Sequence, residues 1–288
     1  MAQSIEISNK YIVGIDLGGT NIRAGSVIKK EITQIKTGRL NSRLPIEDII
    51  QQIFDITDSL VVENVFGIGI GVPGLVMEDR GIVFDVINIP SWKEVPLKNI
   101  MEERYQVPVL INNDANCFAV GEYHFGKGQG SSSMIGMTLG TGLGSGIILN
   151  GKLYSGKNCG AGEFGMIDYL DNCLEYYASG QFFQNVYKIN GEEVFNRASQ
   201  GDPSALNMYV EFGKHLGNAI KIILYALEPS KIIFGGSVRK AWPFFQESMW
   251  KRIKTFAYKQ TVQNLAIEIS ELENSGILGA AALHYNIH

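Results

Sequence analysis

A repeated frame limits this chain's fold more than any other feature. Residues 14–20 read GIDLGGT and residues 136–142 read GMTLGTG: Gly, two residues, Leu, Gly, then Gly-Thr or Thr-Gly. Each time an apolar run ends in glycines and a small hydroxyl residue, and a second apolar run follows. Glycines without a Cβ let backbone N–H groups approach a phosphate, and a Thr adds a hydroxyl. The plain alternative is a β-hairpin turn without a ligand. A third glycine pair, Gly235-Gly236, follows the apolar run KIIF. Three glycine turns at three strand ends suit the β/γ-phosphates, the α/β-phosphates and the adenosine side of a nucleotide. Asp16, at the end of the first strand, suits Mg²⁺ held through water, because that ion takes a carboxylate or two plus phosphate oxygens.

The remaining pattern is that of an α/β protein. YIVGID, IRAGSVI and EITQIKT read as strands, with Lys29-Lys30 at a hairpin tip. Ile46, Ile49, Ile50, Ile53, Phe54 and Ile56 recur at helical spacing. VFGIGIGVPG reads as a strand entering a Gly-Pro turn, residues 96–105 as a helix and VPVLIN as a strand. Asn113-Asp114 open a further helix with capping chemistry. The second half restarts with SMIGMTLG and GSGIILNGKLY as strands. Asp202-Pro203 starts a long helix that Pro229 ends, and SGILGAAALHY reads as a helix of small residues. Two halves with strands early and helices later predict a duplicated architecture with a ligand-binding cleft between them.

Composition removes several classes of function. The 288 residues suffice for one large domain or two modest ones, and 45% hydrophobic with 19% charged residues fits a folded soluble protein. A net charge of −4 exerts no pull toward nucleic acid or an anionic membrane. No apolar run approaches the ~20 residues of a membrane span. The opening MAQSIEISNK lacks an apolar signal core, so a cytoplasmic location is expected. Three cysteines make no disulfide framework.

Two other glycine patterns carry nothing. Gly151 to Lys157 has P-loop-like spacing, but Asn158 stands where Ser or Thr should meet the metal. Gly69, Gly71 and Gly74 match a dinucleotide fingerprint, yet Pro73 and LVMEDRG do not open a helix. In INNDAN, Asp114 reads either as a helix cap or as a general base taking a proton from an attacking hydroxyl, with Asn113 orienting that hydroxyl. Glu163 stands among glycines and Glu175 at a helix start. Both read either as solvated acids or as acceptors for sugar hydroxyls.

On these stretches the chain resembles the ROK sugar kinases (repressor, open reading frame, kinase). The matching segments run from Tyr11 to about Ala282. They include GIDLGGTNIRAG, GIGIGVPGLV, NIPSWKEVPL, VPVLINNDANCFAVGE, GTGLGSGIILNGKLYSGKNCGAGEFG, CLEYYASG, ASQGDPSA and EPSKIIFGGSV. The resemblance implies the actin-like ATPase fold, two ribonuclease-H-like α/β domains closing on ATP and a sugar. We expect the first domain over residues 1–113, completed by 276–288, and the second over 114–275. The implied reaction is ATP-dependent phosphorylation of a hexose hydroxyl with Mg²⁺. Asp114 would be the base, and Gly74, Asn88, Asn113, Glu163 and Glu175 would bind the sugar. Asp16, Gly18, Gly19, Thr20, Thr141, Gly142, Gly235 and Gly236 would hold the nucleotide. A homodimer is expected. A catalytically silent sugar-binding regulator is the alternative. Repressors of the family carry an N-terminal helix-turn-helix domain, which is not expected with the first glycine turn beginning so near residue 16.

The chain departs from the family at one place. Members usually have a His where Met166 stands, and that His binds a structural zinc with three cysteines. Here Cys173 matches the last of them and its partners are missing, while His124, His215, His284 and His288 are not spaced as replacements. No zinc is therefore expected. The family's His also reaches the sugar near C1 and C2. Met166 cannot donate a comparable hydrogen bond, which predicts tolerance of a C1-substituted or 2-acetamido sugar.

Overall fold

The computed structural model describes residues 10–62, 64–86 and 88–285; residues 1–9, from the expected first domain, and His288 lie outside them. β1 (Tyr11–Leu17), β2 (Asn21–Ile28) and β3 (Glu31–Arg39) form an antiparallel meander, followed by helix α1 (Ile46–Thr57). β4 (Val65–Val72) pairs in parallel with β1. A small antiparallel sheet follows, made of β5 (Leu75–Met77), β6 (Ile82–Phe84) and β7 (Glu94–Val95). Helix α2 (Leu97–Tyr105) then leads to β8 (Val109–Asn113), parallel to β4, and to α3 (Asp114–Phe125).

The second half opens with β9 (Ser133–Leu139), β10 (Leu143–Leu149) and β11 (Lys152–Leu153). A short hairpin, β12 (Asp168–Tyr169) and β13 (Asn172–Cys173), leads into helices α4 (Leu174–Ala178), α5 (Phe182–Tyr187), α6 (Gly191–Ser199) and α7 (Pro203–Leu227). Then come β14 (Lys231–Gly235), α8 (Trp242–Ile253), α9 (Lys259–Asn264), β15 (Ala266–Ile269) and α10 (Ser275–Ala282). The two large sheets have orders β3-β2-β1-β4-β8 and β11-β10-β9-β14-β15. Each places an antiparallel hairpin strand first and three parallel strands last, β1-β4-β8 and β9-β14-β15. The repeated frame in the sequence is a repeated topology in space.

The chain divides into two compact units. One holds Met1–Gly130, Gly146–Ala161 and Glu271–His288, and the other holds Ser131–Ser145 and Gly162–Ser270. The first unit therefore runs past Asn113, where the sequence reading set its boundary, because α3 packs closely on α10. In this unit, Ile49, Ile50 and Ile53 of α1 bury against the sheet, and β1 and β4 are apolar nearly throughout, as strands covered on both faces require. The small residues of α10 have a steric cause. A Cβ at Gly279 would lie 2.2 Å from the Cys117 carbonyl oxygen, and one at Gly69 of β4 would lie 1.9 Å from the Ala280 carbonyl oxygen, so glycine on both sides lets the helix backbone settle there.

In the second unit, Asp202 caps the 25-residue α7 by accepting from the Ser204 and Ala205 N–H groups. Such a cap contributes about 1 kcal/mol. α7 and α8 pack against each other around Phe182, Phe183, Phe212 and Phe245, all fully buried.

His284 is buried in the first unit beside Phe66, and burial lowers its pKa from 6.5. The unfolded chain then takes up a proton that the native state refuses. This stability is complete above about pH 6.5 and is lost as pH falls below it. Melting temperature is expected to decline as pH falls from about 6.5 toward 5. His284→Leu should lower it at pH 7.5 but flatten the decline, leaving the part due to His215, whose pKa burial also lowers. An unchanged slope in the variant would remove His284 as a cause.

Candidate active site

Both repeated turns are three-residue hairpin loops. β1 ends at Leu17 and β2 begins at Asn21; β9 ends at Leu139 and β10 begins at Leu143. The Gly18 N–H donates to the Asn21 carbonyl at 2.9 Å, and the Gly140 N–H donates to the Gly142 carbonyl at 3.0 Å. Those two N–H groups close the turns. The residues after them are Gly19 and Thr20 in the first turn, and Thr141 and Gly142 in the second.

In the first unit, Asp16 faces the start of α10. A Cβ at Gly276 would lie 2.3 Å from Asp16 Oδ2, so glycine there makes room for the carboxylate. Burial raises the Asp16 pKa and the Arg23 guanidinium opposes the rise. Gly19 abuts Asn88, whose Cβ would stand 2.6 Å from a Cβ on the glycine. Gly74 takes a φ of +96°, a region open to glycine, and its carbonyl accepts from Asn113 Nδ2 at 3.2 Å.

The start of α3 separates the two roles that the sequence left open for Asp114. Asn113 is the cap: its Oδ1 accepts from the Ala115 N–H at 2.9 Å and from the Asn116 N–H at 3.4 Å. Asp114 is the first residue of the helix and is exposed, with Oδ1 accepting from the Ala115 N–H at 2.8 Å. Gly74, Asn88, Asn113, Asp114 and the first turn all belong to this unit. Asn112 faces elsewhere, donating to Glu78 and Ser155 beside a cavity of about 640 Å³.

In the second unit, Glu175 Oε2 accepts from the Leu143 N–H at 2.8 Å, and a Cβ at Gly142 would lie 2.5 Å from that oxygen. Glu163 precedes a 3-10 turn, Phe164–Met166, and the Met166 N–H donates to its carbonyl at 3.1 Å. Crowding by protein and then the Glu175 carboxylate raise the Glu163 pKa. The two acids therefore share one locality, as neighbouring carboxylates that repel each other's charge. Met166 is 55% exposed there.

The second turn is braced from behind. The Gly180 N–H donates to the Gly140 carbonyl at 2.7 Å, and the Ser179 hydroxyl donates to the Thr141 carbonyl at 3.0 Å. Gly236 has φ +77°, and a Cβ on it would lie 2.2 Å from the Leu139 carbonyl oxygen. Beside these glycines opens a cavity of about 580 Å³. Gly140, Thr141, Gln181, Asn190, Ser237 and Lys240 give it polar walls, and Phe183, Phe195 and Tyr209 give it an apolar side. Gln181, Asn190 and Lys240 were missed by sequence reading. Asn190 has a visible cap signal ahead of α6, accepting from the Glu192 N–H, but nothing in the local sequence points it at a cavity. Among the described residues no group of three or more His, Cys, Asp or Glu side chains is placed to hold a metal. No described helix is long and apolar enough to cross a membrane.

Known proteins resemble this chain over nearly its whole length. The ROK family model matches residues 12–286. A glucokinase of Halalkalibacterium halodurans is 30% identical, with 96% of each chain covered. The xylose repressor of Bacillus subtilis is 29% identical, over 95% of this chain and 76% of its own. A ROK family glucokinase from Streptomyces griseus, solved with glucose and AMPPNP, superposes with a TM-score of 0.80 at 30% identity, covering 95% of this chain and 98% of its own. The fold is the actin-like ATPase fold that the resemblance implied, and the chain belongs to the ROK family.

Proposed function

We propose that this protein is an ATP-dependent kinase that phosphorylates a hydroxyl of a hexose or hexose derivative. The observation that carries the reading is the division of labour at α3. Asn113 satisfies the helix N-terminus, so Asp114 is not required as a cap and presents an exposed carboxylate at the first turn. A carboxylate there suits the removal of a proton from an attacking hydroxyl. Asn113 Oδ1 is committed to two backbone N–H groups. Its Nδ2 donates one proton to Gly74 and has a second for the sugar. Glu163 and Glu175 accept from sugar hydroxyls, and Asn88 and Gly74 complete the set.

The cavity beside Thr141, Ser237 and Lys240 takes the adenosine, its apolar side suiting a base and its polar walls a ribose. Gly235 and Gly236 admit the nucleotide backbone close to the strand ends, and Gly19, Thr20, Thr141 and Gly142 turn N–H groups and hydroxyls to the phosphates. Asp16 fits Mg²⁺ in donor type, as a hard carboxylate oxygen at a strand end beside the first turn. The ion, when bound, offsets charge on the transferring phosphoryl group. The protein carries no structural zinc in this reading, and chelators should leave its melting temperature unchanged. About one zinc per chain by elemental analysis would contradict this.

Coupled ADP release over a panel of free, C1-substituted and 2-acetamido hexoses tests the reading. Turnover of at least one is expected, with substituted sugars comparable to or better than free glucose because exposed Met166 pairs no hydroxyl. The likeness to a xylose repressor keeps a second reading in view, that of a silent sugar-binding protein. Sugar binding by calorimetry without ADP release would favour it.

A further inference from the structure

The segment between Glu163 and Glu175 is short and largely exposed, yet in the kinase reading it carries two acids that must stand in fixed positions to recognise a sugar. The fold supplies a fastening. Residues 168–173 form the β12-β13 hairpin, with Asp168 paired to Cys173 and Tyr169 to Asn172. Tyr169 points its hydroxyl at α7, where it meets His215 Nδ1 at 3.1 Å and accepts from Asn218 Nδ2 at 2.5 Å. Proton directions follow from the far end. Arg252 Nε can only donate, and it donates to Asn218 Oδ1. That fixes the Asn218 amide with its Nδ2 toward Tyr169. The Tyr169 proton is then directed to His215 Nδ1, which accepts it as a neutral imidazole. Tyr177 packs on the same imidazole with ring centroids 5.0 Å apart, and its hydroxyl donates to Asp171 in the hairpin turn.

Backbone bonds carry this fastening to both acids. The Leu174 N–H donates to the Ile167 carbonyl at 2.9 Å, and the Met166 N–H to the Glu163 carbonyl at 3.1 Å. Gly165 sits against Glu175, where a Cβ would lie 3.4 Å from the Glu175 Cβ. The hairpin, the Glu163 turn and the first turn of α4 are thus one connected piece, which packs on α7 and is hydrogen-bonded to it through the Tyr169 hydroxyl.

We propose that Tyr169, held by His215 and Asn218, is a positioning residue that sets the Glu163 and Glu175 carboxylates for sugar recognition. This rests on the kinase reading for its functional readout only.

Tyr169→Phe tests it, since the ring keeps its edge-on packing with His215 and Tyr177 and only the hydroxyl is lost. The sugar KM should rise about tenfold, the scale of one lost hydrogen bond in a preorganised site, with kcat and the ATP KM within threefold. Backbone amides of residues 166 and 174 should exchange faster with deuterium. His215→Leu should repeat both effects, whereas His215→Asn, which keeps an acceptor near the Nδ1 position, should restore the sugar KM to within threefold. A lowered melting temperature with an unchanged sugar KM would overturn the proposal, as would His215→Asn behaving like His215→Leu. Should no sugar release ADP from the parent protein, the kinase reading fails. The exchange rates then decide separately: unchanged exchange in Tyr169→Phe overturns the fastening, and faster exchange supports it.

Discussion

Asp114→Asn is expected to cut turnover by roughly 10²–10⁴, the usual worth of a positioned general base, while sugar affinity stays within several-fold. An Asn at this position has nearly the same shape and keeps an oxygen for the Ala115 N–H, which Asp114 Oδ1 accepts at 2.8 Å. It cannot take up a proton at neutral pH. The cap of α3 is untouched because it belongs to Asn113. Removal of a carboxylate from the first helical turn costs about 0.3–1 kcal/mol through the helix dipole, too little to unfold the protein. Loss of rate with a nearly constant melting temperature therefore isolates the chemistry. A variant with most of its turnover would reduce Asp114 to a favourable charge at a helix end.

Gly142→Val is expected to lower kcat/KM by roughly 10²–10³, the scale of losing a preorganised polar contact in an active site. The added Cβ would meet Glu175 Oε2 at 2.5 Å. That oxygen is the end of a flexible side chain, so it moves away rather than forcing the backbone apart, and the fold survives. In moving, it gives up the Leu143 N–H at 2.8 Å and leaves its place beside Glu163. The same branch narrows the second turn, where the backbone is proposed to approach phosphate. Both the sugar KM and the ATP KM should rise. A rise in the ATP KM alone would separate Glu175 from sugar binding. Unchanged kinetics would make the turn a plain hairpin.

The parts of this fold written in local chemistry were legible in the sequence. The repeated glycine frame gave two hairpin loops of equal length, and Asp202-Pro203 gave the cap and first turn of α7, because turns and caps depend on residues within reach of one another along the chain. Asn113 and Asp114 were found together, but which of them caps the helix required coordinates, since either side chain has the needed oxygen. Sequence gave no sign that Gly142 lies against Glu175, 33 residues later. The same holds for Gln181 and Lys240, which reach one cavity from separate elements. Tyr169 and His215 were invisible as a pair for the same reason: their contact is made by packing a hairpin on a helix, and no spacing rule links them.

The seat of α10 on β1, β4 and α3 also sets an order of events during synthesis. Residues 131–145 and 162–270 hold all of the second unit, so its chain is complete without any residue after 270. The first unit begins at the opposite end of the chain but lacks one face until residues 271–285 emerge. Until then the groove around Gly14 and Gly69, shaped for a helix backbone, stands open to water. Closing it joins residues more than 200 positions apart, contacts of very high sequence separation and hence slow to form. Until α10 docks, the apolar surface left open to chaperones and neighbouring chains is concentrated on the half made first.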